Sequence, residues 1–336
     1  MKNIQTSKHD IAAWSLIGVA MVLVLKLSLL PALLAGLLVF ELIHMLTPHI
    51  ARKFPGNRAK LIAIALLAIV VVGLLSLTGA GLVAFLRSES GSLTVLLAKM
   101  AQIIEDSRKI LPDWILERLP ADAMTFKVQA TVWLRENADE LQVVGKEAGR
   151  VTAHVLIGMI VGGMVALREA TKDEYYKPFA RAMAQRANLF GDAFRRVVFA
   201  QVRIATINAF FTGIYLAIIL PLLGVNLPLV KTLIALTFVV GLIPVVGNLI
   251  SNTVIVIVSL SQSLTVAIGS LAYLVIIHKF EYFLNARIVG GQIRANAWEL
   301  LIAMLLMEAA FGLAGIVAAP IYYAYIKSEL RVRDLV

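Results

Sequence analysis

The sequence predicts an all-α integral membrane protein with about six full spans, two re-entrant helical hairpins and an extramembrane helical insert. Three observations predict it. Of the 336 residues, 60% are hydrophobic and only 15% charged, with a mean hydropathy of +0.87, so too little charge is available to clothe a soluble core of this size. Apolar runs of about 20 residues, enough for a helix to cross roughly 30 Å of hydrocarbon, recur along the chain. Two long runs in the C-terminal half are interrupted by glycine and proline, which a spanning segment tolerates only where the freed backbone is buried in protein or lines a watery cavity.

Ile11 to Leu46 is too long for one crossing and is broken by Lys26, Ser28 and Pro31, giving spans near 11–29 and 31–47, with Pro31 suited to a helix start. The loop from Pro48 to Lys60 carries Arg52, Lys53, Arg58 and Lys60 and no acid, which orients it, and with it the N-terminus, to the cytoplasm. A third span is expected over 61–86. Residues 87–150 mix basic and acidic side chains in near balance, contain Pro112 and Pro120, and hold no stretch apolar enough to span, so they form the helical insert on the far side. A fourth span follows over 151–167.

Thr171 and Glu174 have capping-box spacing. Beyond them Tyr176, Phe179, Met183, Ala187, Phe190, Phe194 and Val197 make an apolar stripe, with Lys177, Arg181, Arg186, Arg195 and Arg196 largely off it. This helix either lies in the cytoplasmic headgroup layer or packs on the protein. A fifth span is expected over 202–223 and a sixth over 264–285. Between them, 229–260 is broken at Gly241-Leu-Ile-Pro244-Val-Val-Gly247-Asn248. Each flank of about 12 residues makes roughly 18 Å of helix, too short to cross, so the run reads as a hairpin with its tip at Pro244 to Asn248. The run 300–326 repeats the design around Gly312 and Gly315. If it also turns back, the tail with Lys327, Arg331 and Arg333 stays cytoplasmic, as its charge requires. Four regions result: spans over 1–86, the insert over 87–150, a span and amphipathic helix over 151–200, and a transport core over 201–336.

The chain holds 31 Lys and Arg against 21 Asp and Glu, formally +10. Those basic residues sit in short loops between apolar runs, which points to anionic headgroups and excludes nucleic acid as the partner. Cysteine is absent, which excludes disulfides and thiolate metal sites. The histidines at 9, 44, 49, 154 and 278 do not fall at metal-ligand spacing, and no HExxH, GxSxG or GxxxxGK[ST] occurs, so neither metal nor other cofactor is expected and ATP drive by this chain is unexpected.

Ionisable groups at membrane depth are costly and mark candidate sites. Glu308 lies about one turn before Gly312 and reads either as a cation or proton carrier or as a partner in an ion pair. Glu41 and His44 share a face of the second span and fit a polar contact between helices or, as the alternative, a proton path; Lys26 either snorkels or pairs with Glu41. After the first break, Asn248, Ser251, Asn252 and Thr253 offer neutral donors and acceptors suited to a hydroxylated solute or a dehydrated ion. Gln201, Arg203, Thr206 and Asn208 open the fifth span, with Arg203 at the membrane surface. Gly158 and Gly162 have the spacing of close helix packing, a structural role.

In order, Gln201, Gly213, Leu223-Gly224, Leu242-Ile-Pro244-Val-Val-Gly247, Glu281, Arg287-Ile-Val-Gly290, Phe311-Gly-Leu-Ala-Gly315 and Ala319-Pro320 resemble the autoinducer-2 exporter family of bacterial membrane proteins. Pro48 ahead of a basic loop and the insert after the third span resemble it too. Asn285-Ala286 departs from it, since a proline usually stands before the Arg287 motif. The resemblance implies a multispan transporter of the bacterial inner membrane assembled as a homo-oligomer, with a pentamer among the candidate arrangements. It implies export of an autoinducer-2-like small polar solute, with sodium or proton antiport as the alternative. The breaks and the polar groups beside them put the pathway at Pro244, Gly247, Asn248, Ser251, Asn252, Glu308, Gly312, Gly315 and Gln201, the two hairpin tips meeting near mid-membrane. The competing reading is a nonconducting membrane scaffold whose insert binds a partner. An intramembrane enzyme ranks last, because no nucleophile and base share a helical spacing.

Overall fold

The computed structural model describes residues 7–53, 136–169, 176–243, 246–260, 262–293 and 296–335, with short pieces between 58 and 132. Most of the insert (its last residues, 136–150, excepted), most of the span expected over 61–86, the cap at Thr171 to Glu174 and the tip residue Pro244 lie outside the described residues, as do the side chains of Glu281 and Arg287. Every described element is a helix: α1 (Lys8–Lys26), α2 (Leu30–Ala51), α3 (Ala138–Glu169), α4 (Pro178–Ile214), α5 (Val230–Gly241), α6 (Val246–Leu260), α7 (Leu264–Ile293) and α8 (Ala297–Val332). α4 continues through a π-helical turn at Tyr215–Ile219 to Leu222. Among the described residues five helices are long and apolar enough to cross a membrane, including Lys8–Lys26, Leu30–Ala51 and Gly145–Arg168, so the chain is a multi-pass membrane protein.

Local chemistry sets the helix ends. Ser7 caps α1 in a reciprocal box with Asp10, satisfying amides that the first turn leaves without partners. α1 stops where Ser28 turns left-handed at φ 56°. The Leu29 N–H then bonds to the Val24 carbonyl at 2.8 Å and the Ser28 N–H to Leu25 at 3.1 Å, the paired bonds of a Schellman stop. The same pair of bonds closes the helical run ending at Leu222, with Gly224 at φ 78°, and α8, with Asp334 at φ 54°. α2 runs through Pro48 to Ala51, past the loop start expected at Pro48, because proline in a last turn removes a single helical bond.

The chain divides into two compact units: one of 1–71, 147–200 and 286–336, the other of 72–146 and 201–285. In the first unit, α2 and α3 cross at backbone contact. A Cβ on Gly158 would overlap the Ala32 carbonyl, one on Gly162 the Gly36 carbonyl, and one on Gly36 would lie 2.8 Å from the Gly158 oxygen. Two small-xxx-small faces thus interlock, as the Gly158/Gly162 spacing predicts. Gly162→Leu has no rotamer that clears backbone. It is expected to cost more than about 3 kcal/mol, the top of the usual overpacking range, read as a fall of several degrees in Tm in detergent; an unchanged Tm would rule out the contact.

The N-terminal half of α4 packs on the protein: Phe194 is 1% exposed, in one cluster with Leu25, Leu30, Ala318, Ile321 and Tyr322. Phe190 packs at a tilt against Tyr322 and edge-to-face against Tyr325. Arg186, placed by the sequence off the apolar stripe, is instead 3% exposed. Its burial is tolerated because Asp10 lies 2.8 Å and Glu329 3.6 Å away.

α8 is not a single rod, although length and composition alone would count 298–332 as one crossing. Gly312 takes φ 60°, ψ −143° inside it. Glu299 and Lys327 meet at 2.6 Å, whereas 28 residues of continuous helix would hold them about 42 Å apart. The element therefore doubles back, and Tyr323 donates to the same Glu299 carboxylate. Cysteines introduced at 299 and 327, in a chain that has none, are expected to be joined by a short bismaleimide within one chain; no intramolecular product would exclude the reversal.

Candidate functional site

In the second unit, α5 and α6 pack along each other about the turn that follows Gly241. The turn is tight: the Ile243 N–H bonds to Val240 at 2.9 Å and the Gly247 N–H to Ile243 at 3.2 Å. A Cβ on Gly247 would overlap the Val240 carbonyl and come within 2.9 Å of the Gly241 Cα. Gly247 is there because backbone passes backbone.

A row of polar side chains on α4 and its π turn faces this pair. Gln201, Asn208, Thr212 and Tyr215 are spaced seven, four and three apart, so they share one helical face. Gln201 Nε2 donates to the Gly241 carbonyl at 2.8 Å, satisfying a carbonyl orphaned at the C-terminus of α5. Asn208, 6% exposed, donates from Nδ2 to Asn248 Oδ1 at 2.7 Å. Ser251, fully buried, donates to the Asn248 carbonyl at 3.3 Å. Tyr215 and Ser270 share a hydrogen bond at 2.9 Å, and Ser270 another with Ser259 at 2.7 Å.

Stacking fixes the π turn, a geometry frequent at functional sites: the Tyr215 and Tyr273 rings lie 4.1 Å apart and nearly parallel, and the Tyr273 hydroxyl donates to the Phe211 carbonyl at 3.0 Å. One member is unsatisfied. Thr212 is 1% exposed and its Oγ1 has no hydrogen-bond partner, although a buried hydroxyl without one is costly. The row is a seam of amides and hydroxyls with no acid, base or thiol, so it can exchange hydrogen bonds with a neutral polar molecule but offers no proton carrier.

The structure thus brings Gln201, Asn208, Asn248 and Ser251 together, with Gly247 beneath them. Asn252 is partly exposed, Arg203 is exposed, and Thr206 and Thr253 are exposed and bond to carbonyls of their own helices. Thr212, Tyr215, Ser259 and Ser270 were missed by sequence reasoning. The signal was the continuation of the 201/208 period to 212 and 215, which a reading focused on the glycine breaks does not follow.

In the first unit, Gly312 and Gly315 form the turn of α8. A Cβ on Gly315 would overlap the Met307 carbonyl and come within 3.1 Å of the Glu308 nitrogen. Glu308 is exposed on the first arm, among exposed Leu305, Leu306 and Leu313. Glu41 is 6% exposed, with Arg195 of α4 at 3.9 Å, and His44 bonds to the Phe40 carbonyl of its own helix at 2.8 Å. Lys26 is exposed, and Arg195 is a cation that does reach Glu41. No group of three or more His, Asp or Glu that could hold a metal occurs among the described residues.

One family model, described as AI-2E family transporter, matches residues 11–332, essentially the whole chain. No curated protein and no solved structure matches it.

Proposed function

The chain belongs to the AI-2E family of transporters, and from that membership we propose that it is a secondary transporter exporting a small, neutral, polar solute, chemically like autoinducer-2, across the bacterial inner membrane. On this reading both termini are cytoplasmic, each broken helix enters and leaves the membrane by one face, 229–260 by the far face and 300–326 by the cytoplasmic face, and the protein works as a homo-oligomer. The observation that carries the solute class is the seam of buried Asn208, Thr212 and Ser251 with half-buried Gln201 and Asn248. Amides and hydroxyls both donate and accept, so they replace the water around a hydroxylated molecule without needing it to be charged. Broken helices beside such a seam are the usual construction of secondary transporter sites.

Flux of autoinducer-2 in vesicles reconstituted with the full chain tests this. Asn248→Ala leaves the buried Asn208 amide without its acceptor, at a cost of about 1–3 kcal/mol, so flux is expected to fall about tenfold while the protein stays folded. Normal flux would remove the seam from the pathway. A scaffold would tolerate this substitution and fail instead on deletion of 87–150.

Sodium or proton antiport is the second reading. Glu308 favours it, as a carboxylate set within the apolar 300–326 run one turn before the Gly312 break. Under that reading an imposed pH or sodium gradient drives flux and Glu308→Gln abolishes the dependence; under the first reading neither gradient matters.

A further inference from the structure

Two cavities in the first unit lie along one face of α1, and they differ in chemistry. Ser7, Asp10, Trp14, Gly18, Met21 and Leu25 recur at three- and four-residue spacing, so they line that face in order. From Trp14 to Leu25 it borders a cavity of about 520 Å³ whose other wall is α8, including Met307, Phe311, Ile326 and Arg333. The wall is apolar except at the Trp14 end, where Glu329 and Arg333 stand. From Trp14 to Leu25 the face is about 16 Å long, matching the roughly 15 Å of hydrocarbon in one leaflet.

The second cavity, about 480 Å³, opens at the other end of the same face. It is lined by Ser7, Asp10, Lys177, Arg181 and Gln185. Asp10 is already engaged by Arg186 at 2.8 Å and Arg333 at 3.2 Å. Lys177 and Arg181 have no acidic partner among the described residues, which leaves this polar cavity cationic. Trp14 stands between the two, with Arg333 4.3 Å over its ring, at the polar–apolar boundary that tryptophan favours in membranes.

We propose that these cavities are one binding site for an anionic phospholipid of the leaflet that holds both chain ends. Its phosphate headgroup lies at Lys177 and Arg181, and an acyl chain lies in the groove between α1 and α8. The apolar groove, one leaflet deep, fits the acyl chain, and Lys177 and Arg181, without acidic partners among the described residues, set the headgroup charge. This site shares no residue with the polar seam of the second unit.

The test uses Trp14 as the reporter. The chain has four tryptophans, so Trp114→Phe, Trp133→Phe and Trp298→Phe leave Trp14 alone in the full-length protein. In detergent, phosphatidylglycerol with brominated acyl chains is expected to quench Trp14 at a lipid fraction about thirtyfold below that for brominated phosphatidylcholine, in line with two cations near the headgroup. Lys177→Gln with Arg181→Gln, both at the cavity surface, is expected to erase the preference and leave quenching by either lipid in place. Gly18→Leu, whose Cβ meets nothing within 4 Å, fills the groove and is expected to abolish quenching by both. Equal quenching by the two lipids in the unsubstituted pocket, which marks general surface lipid, would overturn the proposal. So would no quenching by either, which marks some other occupant, or a preference that survives loss of both cations.

Discussion

Gly315→Ala is expected to abolish flux and to destabilise the first unit by more than about 3 kcal/mol, beyond the usual range for overpacking. The added methyl meets the Met307 carbonyl oxygen and carbon and the Glu308 nitrogen. All three are main chain, so no side-chain rotamer relieves the overlap; the arms of α8 must part. Their parting also separates Glu299 from Tyr323 and Lys327 at the base of the hairpin. Gly312→Ala is the internal control. Its Cβ meets nothing within 4 Å, but Gly312 holds φ 60°, ψ −143°, where a residue with a side chain carries about 1–3 kcal/mol of strain. Thermal unfolding in detergent should therefore rank Gly315→Ala well below Gly312→Ala. The reverse order would mean that backbone strain, rather than close approach, sets the turn.

Arg186→Leu is expected to cost about 3–5 kcal/mol, the usual effect of removing one partner from a buried ion pair. The Arg186 side chain is 4% exposed. It holds Asp10 of α1 and Glu329 of α8, its Nη1 donates to the Ala182 carbonyl at 3.1 Å, and its guanidinium lies 5.2 Å from the centre of the Trp14 ring. Three helices therefore meet on one cation. Without it Glu329 keeps hydrogen bonds from Trp14 at 3.2 Å and Tyr325 at 3.1 Å but loses its ion pair with Arg186. Arg186→Lys keeps the charge but loses the fork that reaches both acids, so an intermediate Tm is expected. A Tm unchanged in Arg186→Leu would show that the carboxylates are not held by this cation.

Much of the fold is legible in residue order. Lys26, Ser28 and Pro31 mark the break between the first two helices, and the chain turns there. The Gly158/Gly162 spacing marks a close crossing, and Ala32 and Gly36 supply its partner. Gly312 and Gly315 mark the reversal in α8, now carried by the Glu299–Lys327 pair. The candidate site is legible in part: Gln201, Asn208, Asn248 and Ser251 stand out as polar residues in apolar runs. Thr212, Ser259 and Ser270 do not, since single hydroxyls are ordinary in membrane helices. Arg186 was misplaced because Asp10 and Glu329, which make its burial tolerable, lie far from it in sequence.

By itself the sequence determined that this is a helical membrane protein, where its long apolar runs break, and which glycines allow backbone to approach backbone. Those properties follow from composition and from the local limits of the peptide chain. Only the tertiary structure decided which side of each helix is inside. It turned Glu308 outward, drew Arg186 inward, and lined up Gln201, Asn208, Thr212 and Tyr215 against their partners. The reason is physical: in a bilayer the lipid-facing and protein-facing sides of a helix are both apolar, so hydrophobic periodicity, which orients a helix in water, carries no such information here.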